Sequence, residues 1–129
     1  MNQKTAIKHV GLQYNDRESA RIFFKEILGL NFKKSFSLSK DLTKEIFDIP
    51  EDVTIDVYEN DDSYFEIFIT KNTIKNKYDH VCIEIESKSQ LIDKCKKHGI
   101  DPIIVKKNDK TLLFIRDFSK NLYEIKQRG

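Results

Sequence analysis

The chain carries the same short pattern twice, and this repeat constrains its fold more than any other feature. Residues 9–13 read His-Val-Gly-Leu-Gln, and residues 80–84 read His-Val-Cys-Ile-Glu. Residues 65–68 read Phe-Glu-Ile-Phe, and residues 123–126 read Tyr-Glu-Ile-Lys. Internal repetition of this kind indicates two copies of one structural unit. Each half therefore carries one histidine early and one glutamate late.

The composition is that of a globular domain. Of the 129 residues, 39% are apolar and 34% are charged, which provides enough apolar side chains for a core. The net charge is +2 and acidic residues lie among the lysines, which argues against a nucleic-acid partner. No apolar run approaches the ~20 residues that span a membrane. The first residues contain no apolar signal-peptide region, so we expect a cytoplasmic protein.

Hydrophobic periodicity predicts one helix near the start of each half. After Asp16, a plausible N-cap, apolar residues recur at helical spacing until Gly29. In the second half, Ser87 begins a capping-box pattern, and the helix is expected to end before Gly99. Period-two alternation predicts strands before and after both helices. Each half is therefore predicted to be a β-α-β-β-β module.

We expect a single domain, residues 1–129, composed of two such modules. Module 1 covers about residues 5–70 and module 2 about residues 78–127. The segment 71–77 is polar, and its one core-type residue is Ile74. It is therefore the best candidate for the connector between the modules.

Strand periodicity also predicts where the repeated histidines and glutamates point. His9, Glu66, His80 and Glu124 each alternate with apolar neighbours, so all four should lie on the side of the sheet away from the helices. Acidic residues are depleted inside strands, and a bound dication would compensate their charge. Two imidazoles and two carboxylates suit a divalent nickel, cobalt, zinc, iron or manganese ion. The alternative for each residue alone is a structural histidine or a solvated glutamate on an open sheet face.

Five segments resemble the vicinal oxygen chelate superfamily, which includes glyoxalase I, methylmalonyl-CoA epimerase, ring-cleaving dioxygenases and bleomycin-resistance proteins. The match depends on the order and spacing of the segments along nearly the whole chain. They are residues 9–12 (His-Val-Gly-Leu), 23–30 (Phe-Phe-Lys-Glu-Ile-Leu-Gly-Leu), 65–67 (Phe-Glu-Ile), 79–81 (Asp-His-Val) and 117–125 (Asp-Phe-Ser-Lys-Asn-Leu-Tyr-Glu-Ile).

This resemblance implies an α+β fold, with tandem βαβββ modules that form a cupped, incomplete barrel of mixed sheet and helices outside. Family members commonly pair as homodimers, in some cases with a site built from both chains. The metal ligands of the glyoxalase I pattern match His9, Glu66, His80 and Glu124. The implied activity is that of a lyase or isomerase, with proton transfer next to a carbonyl of a small substrate that is chelated through two adjacent oxygens. Glu124 is the expected base, and Glu66 is the second candidate.

Some positions depart from the family pattern. Gln13 stands where glutathione-dependent relatives have an arginine, which argues against glutathione as cosubstrate. The closing turn has Phe118 and Lys120 in place of the family's proline and glycine. The side chains expected to line the pocket, with no chemical role assigned, are Tyr64, Asp56, Gln13, Cys82 and Arg116.

Two other functions are compatible with this scaffold. Bleomycin-resistance proteins share the fold and bind a small molecule without metal or catalysis. Fosfomycin-resistance relatives transfer a thiol to an antibiotic in a strongly cationic pocket, and little positive charge is expected in the interior here. Fold alone does not decide between such functions.

Overall fold

The computed structural model describes residues 7–71 and 79–128, which form two four-stranded sheets and three helices. The first half contains β1 (Val10–Tyr14), α1 (Arg17–Arg21, continued by the π-helical segment Ile22–Ile27), β2 (Asn31–Leu38), α2 (Lys40–Phe47), β3 (Val53–Glu59) and β4 (Tyr64–Ile69). The second half contains β5 (His80–Ile85), α3 (Lys88–Lys97), β6 (Ile103–Lys107), β7 (Lys110–Arg116) and β8 (Leu122–Gln127). Apart from residue 71, the predicted connector 71–77 lies outside the described residues.

The two sheets have the same topology, which confirms the predicted α+β fold of tandem βαβββ modules. Their strand orders are β1-β4-β3-β2 and β5-β8-β7-β6. In each sheet the first and last strands of the module pair in parallel, and the other pairs are antiparallel. Within the described residues, the strands form two separate open sheets. Each module therefore contributes one open sheet.

The register of the parallel strands is also repeated. Gly11 lies opposite Glu66, and Cys82, which occupies the same place in the second half, lies opposite Glu124. In both halves the residue opposite the glutamate therefore follows the histidine by two positions. The repeat seen in the sequence is thus a repeat of strand pairing.

The two helices predicted near the start of each half begin and end close to the predicted residues, and α2 is an additional helix. The Asp16 carboxylate accepts a hydrogen bond from the Ser19 backbone N–H at 2.9 Å, and Ser87 caps α3 in the same way. Gly29 and Gly99 have φ values of 77° and 80°, a left-handed conformation in which a side chain would be strained. None of the described helices has the length and apolarity needed to cross a membrane.

One apolar core joins the two halves. The ring of Phe23, on the first helix, lies 5.1 Å from that of Phe24 and 5.0 Å from that of Tyr123 on β8. Buried residues of both sheets and of α3 belong to the same core, for example Ile67 on β4, Ile125 on β8 and Cys95 on α3. Because the helix-facing sides of both sheets bury into this shared core, their opposite sides point away from it.

A buried carboxylate fixes the closing turn of the second half. Asp117 accepts four hydrogen bonds, from the Ser119 and Asn121 backbones, the Asn121 amide and the Tyr123 hydroxyl, at 2.8–2.9 Å. Burial raises the pKa of Asp117, and these four hydrogen bonds oppose that rise. The Asn121 amide also donates to the Gln13 carbonyl at 3.0 Å. The last turn is thereby tied to the first strand.

Candidate functional site

In the first half, the predicted histidine and glutamate lie side by side. His9 lies immediately before β1, and its Nε2 is 3.3 Å from Oε1 of Glu66 on β4. The Glu66 side chain is 20% exposed, between the buried Phe65 and Ile67. Its carboxylate therefore points away from the core, as strand alternation predicts.

The second half repeats this pair on its own sheet. Nε2 of His80 is 3.7 Å from Oε1 of Glu124, whose side chain is 22% exposed between the buried Tyr123 and Ile125. The other carboxylate oxygen, Oε2, lies 3.2 Å from Nζ of Lys126. Each half thus supplies one imidazole nitrogen and one carboxylate at the open side of its sheet.

The four predicted ligands form two pairs in the single chain. Among residues 7–71 and 79–128, no three His, Cys, Asp or Glu side chains are grouped closely enough to hold a metal ion. Each pair lies on the open side of its own sheet. The assignment of His9, Glu66, His80 and Glu124 as ligands of one ion stays a prediction.

Apolar side chains surround the first pair. Phe68 lies two residues after Glu66 on the same face, and its ring is 5.4 Å from that of Phe47 on α2. A Cβ on Gly11 would come within 3.3 Å of the Phe68 ring, so the ring lies directly over the glycine. Helix α2 therefore covers part of this face, and Ile55 beneath it is 1% exposed.

The surroundings of the second pair are more polar and more exposed. Cys82 lies opposite Glu124 and is exposed as a residue, but partial desolvation of its thiol, followed by the charge of Glu124, raises the thiol's pKa. The β6–β7 connection is a short turn with no helix, so nothing corresponds to α2 here. The strand register places Ile103 and Val105 on the same face as Glu124, and both are exposed.

Four of the five side chains expected to line the pocket lie on these faces, and one does not. Alternation and register place Tyr64, Gln13, Cys82 and Arg116 on the open sides. Asp56 lies opposite Ile67 on the core side, is 1% exposed, and accepts from Nε and a terminal nitrogen of Arg17 at 2.7 and 2.6 Å. The prediction for Asp56 is wrong because both faces of β3 are covered, one by the core and the other by α2.

Sequence reasoning missed Lys126. It lies on the same face as Glu124 and forms an ion pair with it, although little positive charge was expected near the site. The signal was present, because residues two apart in a strand share a face and Lys126 follows Glu124 at that spacing.

No protein-family model and no curated protein matches the sequence. Solved structures do match. Fosfomycin resistance protein FosX from Listeria monocytogenes has a TM-score of 0.73 at 14% identity, over 98% of this chain and 96% of that one. A glyoxalase family protein from Bacillus cereus has a TM-score of 0.74 at 20% identity, over 98% of this chain and 95% of that one.

A variant of the Listeria protein was solved in complex with Mn(II) and 1S,2S-dihydroxypropylphosphonic acid. It has a TM-score of 0.74 at 15% identity, over 98% of this chain and 95% of that one. All three likenesses span nearly the whole of both chains, and at these identities they establish the fold. Together with the repeated register of the two sheets, they show that this chain has the fold of the vicinal oxygen chelate superfamily.

Proposed function

We propose that this protein is a metal-dependent lyase or isomerase of the glyoxalase I type. It would transfer a proton next to a carbonyl of a small substrate that is chelated through two adjacent oxygens. The observation that carries the proposal is the repeated His–Glu pair, at 3.3 Å in one half and 3.7 Å in the other. An open site with nitrogen and oxygen ligands fits a divalent nickel, cobalt, zinc, iron or manganese ion.

The proposal includes a homodimer, because each pair offers half of a ligand set. Two nitrogen or oxygen ligands are fewer than the three or four that hold a catalytic ion. A second copy could place its His80–Glu124 pair opposite the His9–Glu66 pair of the first, and the symmetric contact would complete two sites at once. This arrangement agrees with the position of each pair on the open side of its own sheet.

Uncovered apolar side chains support the same pairing. In the first half, three apolar residues of α2 are exposed: Leu42, Ile46 and Phe47. On the second half's side, Ile103 and Val105 are exposed next to Phe114. Apolar groups that cluster on one face often mark a contact surface, and facing copies would bury both sets.

Within such a site, the side chains of the two pairs would bind the metal ion and transfer the proton. His9 and His80 would hold the ion through their Nε2 atoms, together with the two glutamates. The ion, when bound, would act as a Lewis acid for the two substrate oxygens. Glu124 would take and return the proton, because a deprotonated carboxylate beside the substrate is a competent general base, and Glu66 is the second candidate.

Mixed dimers test the proposal directly. One variant combines His9→Ala with Glu66→Gln, and the other combines His80→Ala with Glu124→Gln. Neither should bind metal alone. Co-expressed and isolated as the mixed dimer, the two variants should regain one intact site, so metal titration should reach about half of the parent's stoichiometry.

The control is each variant co-expressed with a differently tagged copy of itself, which should bind no ion. A mixed dimer without metal, combined with a metal-binding parent, would mean that the site lies within one chain. A parent that binds no nickel, cobalt, zinc or manganese, and whose melting temperature these ions do not change, would contradict the enzyme proposal. That result would favour a non-catalytic small-molecule-binding protein of the bleomycin-resistance type.

A further inference from the structure

Lys126 occupies a position that the metal site alone does not explain. It lies on β8 two residues after Glu124, and its Nζ is 3.2 Å from Oε2 of that carboxylate. The other oxygen, Oε1, faces His80. The Glu124 carboxylate therefore lies between an imidazole and an ammonium group.

The other carboxylate near Lys126 is already engaged. Glu84 lies opposite Lys126 in the strand register, but its Oε1 is 3.4 Å from Nε of Arg128. Arg128 also pairs with Asp62 at 2.9 Å. Within the described parts of the chain, Glu124 is the one carboxylate at ion-pair distance from Lys126.

A dication at Glu124 would change this balance. Once the Glu124 carboxylate binds the metal ion, its negative charge no longer neutralises Lys126. The ammonium group then lies next to a second cation. Like charges this close repel, and an additional anion would compensate both. The Lys126 side chain is 53% exposed, so it is free to reach a ligand on the open face.

We propose that Lys126 is a specificity-determining residue, whose ammonium group binds an anionic group that the substrate carries beside its two chelated oxygens. A carboxylate, phosphate or phosphonate would serve, because each accepts charge-assisted hydrogen bonds from a lysine. This inference rests on the proposed function, since it requires that an ion take Glu124 as a ligand.

The first-half residue equivalent to Lys126 indicates how the substrate would be oriented in the site. Phe68 stands there, packed against Phe47 and over Gly11. The completed site would therefore have one cationic wall and one apolar wall. The anionic end of the substrate would point toward the second half, and any apolar part would point toward the first.

A pair of matched chelators tests the role of Lys126 without turnover. Acetohydroxamate offers two adjacent oxygens and no further charge, and phosphonoacetohydroxamate adds one phosphonate. Their dissociation constants from the nickel-loaded protein would be measured by calorimetry for the parent, Lys126→Gln, Lys126→Arg and the exposed control Lys97→Gln. Nickel binding to each apoprotein would be titrated first.

We expect Lys126→Gln to weaken phosphonoacetohydroxamate roughly tenfold or more, as for the loss of one charge-assisted hydrogen bond, with acetohydroxamate unchanged within about twofold. Lys126→Arg should retain most of the preference, and Lys97→Gln all of it. Equal binding of both chelators to the parent and to Lys126→Gln, with nickel bound, would overturn the role of Lys126 and leave the proposed function standing. A parent that binds no nickel or other divalent ion would overturn both.

Discussion

The two halves of the chain have the same strand topology and register, and they differ in the side chains that surround the repeated His–Glu pair. Both place a histidine at the start of the first strand or immediately before it, and a glutamate on the parallel last strand, in the same register. In the first half, Phe68 and Gly11 flank the glutamate, whereas Lys126 and Cys82 take these places in the second half. The comparison teaches that the groups suited to hold an ion are repeated, and the groups suited to select a ligand are not.

The turns that precede the last strand of each half differ even more. In the first half, the β3–β4 hairpin is held by an exposed bond from the Asp62 N–H to the Asn60 side chain at 2.9 Å. In the second half, Asp117 is 2% exposed and accepts four hydrogen bonds. The first turn only connects strands, while the second also organises buried polar groups.

The largest difference in stability is expected between equivalent substitutions in these two turns. Asp117→Asn replaces one carboxylate oxygen with a donor and leaves two donors without an acceptor. We expect the free energy of unfolding to fall by about 3 kcal/mol, because buried hydrogen bonds to a charged group are costly to lose. Asp62→Asn, which weakens an exposed ion pair with Arg128, should cost less than about 1 kcal/mol.

Urea denaturation of both variants and the parent measures this contrast. The Asp62 variant is the matched control, since it makes the same chemical change in the other half. Comparable losses for the two variants would contradict the structural role assigned to the Asp117 turn.

A smaller difference in stability is expected between alanine substitutions of Phe68 and of Lys126. Phe68→Ala removes a ring that packs against Phe47, and we expect it to lower the free energy of unfolding by about 1.5 kcal/mol, since part of the ring is buried. Lys126→Ala removes an exposed ion pair and should cost less than about 0.5 kcal/mol. Thermal or urea unfolding distinguishes them, and a larger loss for Lys126→Ala would mean that the lysine is structural.

The smallest expected effect is a gain in stability at the closing turn. Lys120 has a φ of 73°, in the left-handed region that favours glycine. Lys120→Gly should raise the free energy of unfolding by about 0.5 kcal/mol, because relieved backbone strain exceeds the added freedom of the unfolded chain. Asn108→Gly, at a φ of 57°, should gain less because asparagine tolerates this region. An unfolding midpoint that falls in Lys120→Gly would contradict this account.

Much of the fold could be predicted from local patterns. Asp16, Ser87, Gly29 and Gly99 set the helix ends through chemistry that involves their immediate neighbours, so the sequence was sufficient there. Strand alternation also placed Glu66 and Glu124 on the open faces correctly. These features depend on residues that lie within a few positions of each other.

The remaining features depend on contacts that periodicity does not encode. Asp56 was misplaced because α2 covers the second face of β3, so apolar residues on both faces of that strand are buried. The separation of the two His–Glu pairs among the described residues depends on how the halves pack against each other, and the sequence pattern of one half alone does not specify that packing. Strand alternation places Lys126 on the face of Glu124, but its ion pair with that carboxylate is a contact that the sequence does not show, and a lysine on a strand otherwise resembles any solvated surface residue.

The tie between Asn121 and the Gln13 carbonyl has a consequence for how the protein is made. The two residues are separated by 108 positions, and the bond from the Phe118 N–H to the Tyr14 hydroxyl spans 104. The first strand can therefore pair with β4 before residue 121 is synthesised, but its bonds to the closing turn can form only afterwards. Contacts between such distant positions slow folding, so we expect the bonds between the closing turn and the first strand to be among the last to form.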